Sequence, residues 1–230
     1  MSHKGKLYGV GIGPGDAELL TLKAIKALKK ADVICLPKSK DQASTALEIV
    51  EEFLPKDIEQ VQMVFSMSKD IEQRKTSRKN NALEVMEMLD QGKNVVFLTL
   101  GDPMLYSTYS YLLEYLTKEY SVENIPGIYS FSAISNTLSI PLCKGKEKVS
   151  VIGAFNKDSE AILALSDTTV CMKISSYGKQ LAEFLKNNSG YSFTMISEAG
   201  KEEESQYFDA KILEGDLPYF STAIVQKIKQ

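Results

Sequence analysis

Four of the seven residues from 9 to 15 are glycine, in the stretch Gly9-Val10-Gly11-Ile12-Gly13-Pro14-Gly15-Asp16, and no other stretch constrains the fold as much. An apolar run, residues 7–12, leads into it and reads as a strand; apolar residues at helical spacing follow from about Ala17. Glycines at alternate positions leave one strand face without side chains, so another backbone or a ligand can come close, and Gly13 or Gly15 can take positive φ. Pro14 stiffens the turn and removes an N–H donor. Asp16 is placed to cap the helix, with Glu18 in its first turn and Lys29 and Lys30 in its last, which suits the helix dipole. As a phosphate cradle the stretch is poor. No Gly-Lys-Ser/Thr follows, Asp16 stands where the dinucleotide fingerprint has its third glycine, and the next strand, residues 32–36, runs into Pro37 instead of ending in an acid. A tight strand-to-helix turn with no ligand stays open at this point.

The alternation continues down the chain. Strands at 7–12, 32–36, 60–65, 94–100 and 122–125 are separated by helices at 44–53, from an Asp70 cap to Gly92, and at 106–118, which predicts a largely parallel sheet. Pro126-Gly127, a serine-rich turn and a helix at 131–138 read as a connection. Strands at 149–153, 168–174, 191–197 and 222–228 then alternate with helices at 159–165 and 179–186, and residues 205–208 read as a hairpin partner of the strand before them. Two α/β domains are expected, residues 1–120 and 121–230.

With 230 residues and 43% hydrophobic content the chain can supply such cores, and a net charge of −3 argues against a protein dominated by nucleic-acid binding. The apolar runs fall far short of the roughly 18 residues of a membrane span, and no signal-peptide pattern opens the chain, so a cytoplasmic protein is expected. Cys35, Cys143 and Cys171 are odd in number and set in apolar surroundings, which suits reduced, buried thiols. The only histidine is His3, so no histidine triad or zinc cluster is expected, and no metal site.

With those pieces in place the chain resembles the tetrapyrrole methylase family, most closely its branch acting on C20 of precorrin-2 or cobalt-precorrin-2. The resemblance rests on five stretches in order: residues 9–23 from the glycine turn to Lys23, Ala31-Asp-Val-Ile-Cys-Leu-Pro37, Leu100-Gly-Asp-Pro103, Pro126-Gly-Ile-Tyr-Ser-Phe-Ser-Ala133 and Pro218-Tyr-Phe-Ser-Thr222. It implies two α/β domains with mostly parallel sheets and a cleft between them, the first domain on the acceptor side and the second sharing the donor site. It implies S-adenosylmethionine as methyl donor, a tetrapyrrole small-molecule acceptor, and a homodimer. By resemblance Gly101, Asp102, Leu105, Tyr129, Ser130, Met172 or Lys173, Ala199 or Gly200, and Thr222 contact the donor. Family members often carry Ser or Thr where Tyr129 stands.

The residue types suit that chemistry. A strand end carrying Gly101 and Asp102 offers close backbone approach and a carboxylate at the carboxyl ends of parallel strands, where α/β folds bind ligands. If the nucleophile is the C20 carbon of the acceptor itself, no activated Ser, Cys or His is needed, and proton removal falls to Asp102, Lys173, Glu198 or a tyrosine. The acceptor's rim of carboxylates calls for cations. Of 27 basic residues only two are arginines, Arg74 and Arg78, one helical turn apart and suited to bidentate contact; a solvated helix face is the competing reading. Lys144, Lys146 and Lys148 form a second basic patch, read as a solvated loop. Among the helix tyrosines, Tyr109 and Tyr115 read as core, with Tyr106 left as a candidate acceptor contact beside Gly13 and Pro14 of the glycine turn. Two alternatives stay in view: a methylase of the same fold acting on another tetrapyrrole position, an RNA ribose or a modified histidine, and a non-catalytic nucleotide-binding module.

Overall fold

The computed structural model describes residues 4–37, 42–66, 68–116, 118–201 and 203–228; His3 lies outside them. The chain forms two compact units, residues 1–129 and 130–230.

The first unit holds five strands, β1 (Lys6–Gly11), β2 (Val33–Pro37), β3 (Glu59–Met63), β4 (Val95–Thr99) and β5 (Ser121–Ile125). They lie in the order β3-β2-β4-β1-β5 and every pairing is parallel. Helices α1 (Leu22–Leu28) and α2 (Gln42–Val50) cover one face and α3 (Ile71–Asp90) and α4 (Tyr109–Leu113) the other. Alternation within β4 shows why its sequence is apolar throughout: Val96 and Leu98 pack under the first pair of helices, Val95 and Phe97 under the second. Residues 121–125, placed in the second domain by sequence, pair with β1 and complete this sheet, which moves the division from 120 to 129.

Asp16 caps only a short 3-10 turn, Ala17–Leu19, through a 2.8 Å bond from the Glu18 N–H. The helix proper begins five residues later, capped by Thr21. Likewise the helix expected over 106–118 shrinks to α4, because Tyr106 takes a left-handed backbone (φ 51°) and the helix begins only after its N-cap, Thr108. Tyr109 is fully buried and Tyr115 packs against the same cluster.

The second unit contains α5 (Ser130–Thr137), β6 (Val149–Ile152), α6 (Ser159–Leu165), β7 (Thr168–Met172), α7 (Gly178–Asn187), β8 (Tyr191–Ser197), β9 (Ser205–Tyr207) and β10 (Ser221–Lys227). Its sheet runs β6-β7-β10-β8-β9 and departs from the mostly parallel expectation. Only β6 and β7 pair in parallel; β10 enters between β7 and β8 antiparallel to both, and β9 pairs antiparallel with β8 as the expected hairpin partner. The β7-α7-β8 crossover leaves a slot one strand wide, and the last strand fills it from the opposite direction. Apolar composition alone does not encode that direction. Cys35 and Cys171 are buried, where burial pushes the Cys171 thiol up to about 12, while Cys143 is exposed, against expectation.

Candidate functional site

The glycine turn finds its partners at the carboxyl ends of β1, β4 and β5. Gly13 takes φ +74° and exchanges two backbone hydrogen bonds with Gly101, itself at φ +71°: Gly101 N–H to Gly13 O at 2.8 Å and Gly13 N–H to Gly101 O at 3.3 Å. A Cβ on Gly11 would lie 2.4 Å from the Gly127 nitrogen, and one on Gly127 would lie 2.0 Å from the Gly101 oxygen. Three backbones thus meet without a side chain between them, one from each of three motifs that are far apart in sequence. Gly9 serves packing of another kind, since its missing Cβ is where the Tyr109 ring lies. The Tyr109 hydroxyl then donates to Asn124 Oδ1 at 2.7 Å.

Asp102 locks this junction. It is 6% exposed, its Oδ1 accepts the Met104 N–H at 2.9 Å and its Oδ2 the Gly127 N–H at 3.1 Å. One carboxylate therefore ties the turn after β4 to the turn after β5. Gly101 differs from its neighbours in the junction: a Cβ there would meet nothing within 4 Å. The face of that backbone is therefore open to close approach. Pro14, Leu105 and Tyr129 are half-buried nearby in the chain, and Tyr106 is exposed.

The second unit gathers its candidates at one end of its sheet. Register places Thr222 opposite Met172 on β7 and Ile196 on β8, so the residues just past those strands, Lys173 and Glu198, flank the start of β10. Both hold left-handed backbone, Lys173 at φ 56° and Glu198 at φ 53°. Such conformations cost side-chain-bearing residues about 1–2 kcal/mol each. Glu198 donates its N–H to the Phe220 carbonyl at 2.8 Å, and its carboxylate meets Lys201 Nζ at 2.6 Å while that ammonium sits 4.4 Å from the Phe220 ring centroid. Ala199 is buried behind it and Gly200 is exposed, with its N–H on Glu204 Oε2 at 2.9 Å. Ser130, opening α5, lies with its hydroxyl 3.4 Å from that of Thr222, and the Met172 carbonyl accepts from Tyr177 at 2.8 Å. Ser130, Met172, Lys173, Glu198, Ala199, Gly200 and Thr222 therefore share one region of this unit.

Arg74 and Arg78 lie on the first half of α3, in the first unit. The close backbone approach expected at the alternating glycines occurs at Gly11, while the part of Gly127 was not singled out although it sits in a marked stretch; the pairing of Lys201 with Glu198 carries no sequence signal until the fold brings the two together. Among the described residues no group of three or more His, Cys, Asp or Glu side chains is arranged to hold a metal. Also among these residues, no helix is long and apolar enough to cross a membrane.

Comparison with known proteins gives the family and the fold. The family model of the Tetrapyrrole (Corrin/Porphyrin) Methylases matches residues 6–212. The chain is 37% identical to a probable cobalt-precorrin-2 C(20)-methyltransferase of Methanocaldococcus jannaschii, over 98% of this chain and 97% of the relative. It is 32% identical to the cobalt-precorrin-2 C(20)-methyltransferase of Salmonella typhimurium, over 97% of each. Among solved structures, the uroporphyrin-III C-methyl transferase of Thermus thermophilus complexed with S-adenyl homocysteine superposes with a TM-score of 0.72 at 21% identity, over 97% of this chain and 98% of that one, a likeness of fold.

Proposed function

The chain belongs to the tetrapyrrole methylase family, and from that premise we infer that it transfers a methyl group from S-adenosylmethionine to C20 of a precorrin-2-type macrocycle in cobalamin biosynthesis. The observation that carries the choice of position is the nearly full-length alignment with relatives named for the C20 reaction. Both names specify the cobalt-bearing acceptor, which favours cobalt-precorrin-2 over the metal-free form.

The donor supplies an electrophilic methyl on a sulfonium; the chain's residues bind, align and shield. This reading gives Gly101 the role of backbone platform, with Asp102, Leu105, Tyr129, Ser130, Met172, Lys173, Ala199, Gly200 and Thr222 as the remaining donor contacts. Hydroxyls and carbonyls dominate that set, which suits a cationic sulfur better than a cluster of cations would. The nucleophile is a ring carbon, so no activated serine, cysteine or histidine is called for. Asp102 acts by tying the turn after β4 to the turn after β5 through the Met104 and Gly127 N–H groups, and Lys173 and Glu198 are the side chains assigned to proton transfer at the acceptor. Gly13, Pro14, Tyr106, Arg74 and Arg78 are assigned to the acceptor, the arginines to its carboxylates. A cytoplasmic homodimer completes the reading, on the strength of the family resemblance; sedimentation at equilibrium checks the assembly.

The experiment that tests the reading is incubation with methyl-labelled donor and, in parallel, precorrin-2 and cobalt-precorrin-2, followed by NMR of the product. Label on C20 is expected, with faster turnover of the cobalt form. Label on any other carbon, or no transfer to either, overturns it.

A further inference from the structure

Helix α3 is apolar over only part of its length. Ala82, Val85 and Leu89 are buried against the first sheet, and none of the first ten residues is buried. The Ser77 hydroxyl and the Asn81 amide both donate to the Val64 carbonyl, at 2.8 and 3.0 Å, one residue past the end of β3. The sheet therefore ends at the level of residues 77–81, and the six helical residues before them rise past it by roughly 9 Å at 1.5 Å per residue. Extending the buried stripe backwards in steps of four from Ala82 reaches Arg78 and Arg74. The face that is apolar over the strands becomes arginine at their carboxyl ends, with Arg78, and beyond them, with Arg74.

Arg78 has a specific neighbour there. Its guanidinium carbon lies 3.5 Å from the centroid of the Tyr111 ring, on α4. Tyr111 remains 38% exposed, a large aromatic at the surface whose contact is a cation. Among the described residues neither arginine has an ion-pair partner, although the chain carries 30 acidic residues and the adjacent Lys75 takes Glu72 at 2.9 Å. A guanidinium resting on a ring face keeps its in-plane N–H donors directed past the ring edge, as a fork matched to a carboxylate; a lysine ammonium has no such plane.

We infer that Tyr111 is a positioning residue for the acceptor: it holds Arg78 with its N–H fork presented to one carboxylate of the tetrapyrrole rim, beside the end of the first sheet. The inference rests on the proposed function and adds to it the residue that orders the carboxylate contact. Stacking restricts the freedom of the long side chain before substrate arrives, so its loss weakens acceptor binding and leaves the donor site untouched.

The test uses the full chain and two probes, a porphyrin octacarboxylate followed by fluorescence quenching and S-adenosylhomocysteine followed by calorimetry. Arg78→Gln raises the porphyrin Kd about tenfold, the scale of a charge-assisted hydrogen bond. Tyr111→Leu raises it about fivefold, Tyr111→Phe restores parent binding, and the Arg78→Gln/Tyr111→Leu pair is no weaker than Arg78→Gln alone. In all four the S-adenosylhomocysteine Kd and the Tm stay at parent values. Parent-like porphyrin binding by Tyr111→Leu, or losses that add in the double variant, overturns the inference. Intact binding by Arg78→Gln overturns it too, while C20 labelling by the same preparation leaves the functional reading standing. Conversely, coupled losses in a protein that labels neither acceptor keep the carboxylate contact and remove the assigned reaction.

Discussion

At the end of the first sheet three backbones meet at Gly11, Gly101 and Gly127 with no side chain between them, whereas at the end of the second sheet Lys173 and Glu198 keep full side chains on backbone that glycine would hold without strain. In the first unit Gly11 and Gly127 are required because a Cβ on either would collide with fixed backbone, while Gly13 and Gly101 hold left-handed backbone as glycine does freely. In the second, that left-handed geometry is tolerated at a cost in residues that keep their side chains. Positions of one type specify how the chain packs; positions of the other type are where chemistry is to be sought. Asp102 belongs with the first group, since both its oxygens accept backbone N–H groups.

The largest expected effect tests the packing side of this contrast. Gly127→Ala puts a Cβ 2.0 Å from the Gly101 oxygen and 2.8 Å from Gly11, with backbone on both sides and nothing flexible to yield. Urea denaturation should show a loss of about 3 kcal/mol or more. Gly101→Ala meets no atom and bears only the left-handed penalty, about 1 kcal/mol, so it should fold well while weakening donor binding. Equal losses in the two variants would break the distinction between them.

Next in size is Asp102→Asn. The amide keeps one acceptor oxygen and turns an NH2 toward the other backbone N–H, leaving one donor of the clamp unmet. Stability should fall by about 1–3 kcal/mol in the same assay, and hydrogen exchange at Gly127 should quicken.

The smallest effect concerns acid. Glu123 on β5 is paired with Lys23 and Lys6, and those ammonium groups hold its carboxyl down at about 2 against an ordinary 4.5. The folded value lies below the unfolded one, so the contribution is complete above pH 4.5 and disappears as pH falls toward 2. Between those limits amides of β5 should lose protection before those of the second sheet, and Glu123→Gln should flatten that part of the acid profile. Equal acid loss in both units would remove the difference.

Much of the first unit was legible in the sequence because parallel α/β order is written locally, in buried strands such as Val95–Thr99 and in caps such as Asp70. The direction of β10 was not, since an apolar strand reads alike either way and its place is fixed by the slot between β7 and β8. Nor was the Asp102 clamp, because its partner Gly127 lies 25 residues away and only the folded sheet brings it near. The strain at Lys173 and Glu198 carries no compositional mark, whereas Gly13 and Gly101 announce theirs by being glycine.

The most direct measurement is therefore Lys173→Gly, followed by both thermal unfolding and single-turnover methyl transfer. Relief of left-handed strain should leave Tm equal to the parent's or higher, while transfer to cobalt-precorrin-2 falls at least tenfold. A lower Tm with transfer at the parent rate would make Lys173 one more packing residue, and would contradict the assignment of chemistry to that end of the second sheet.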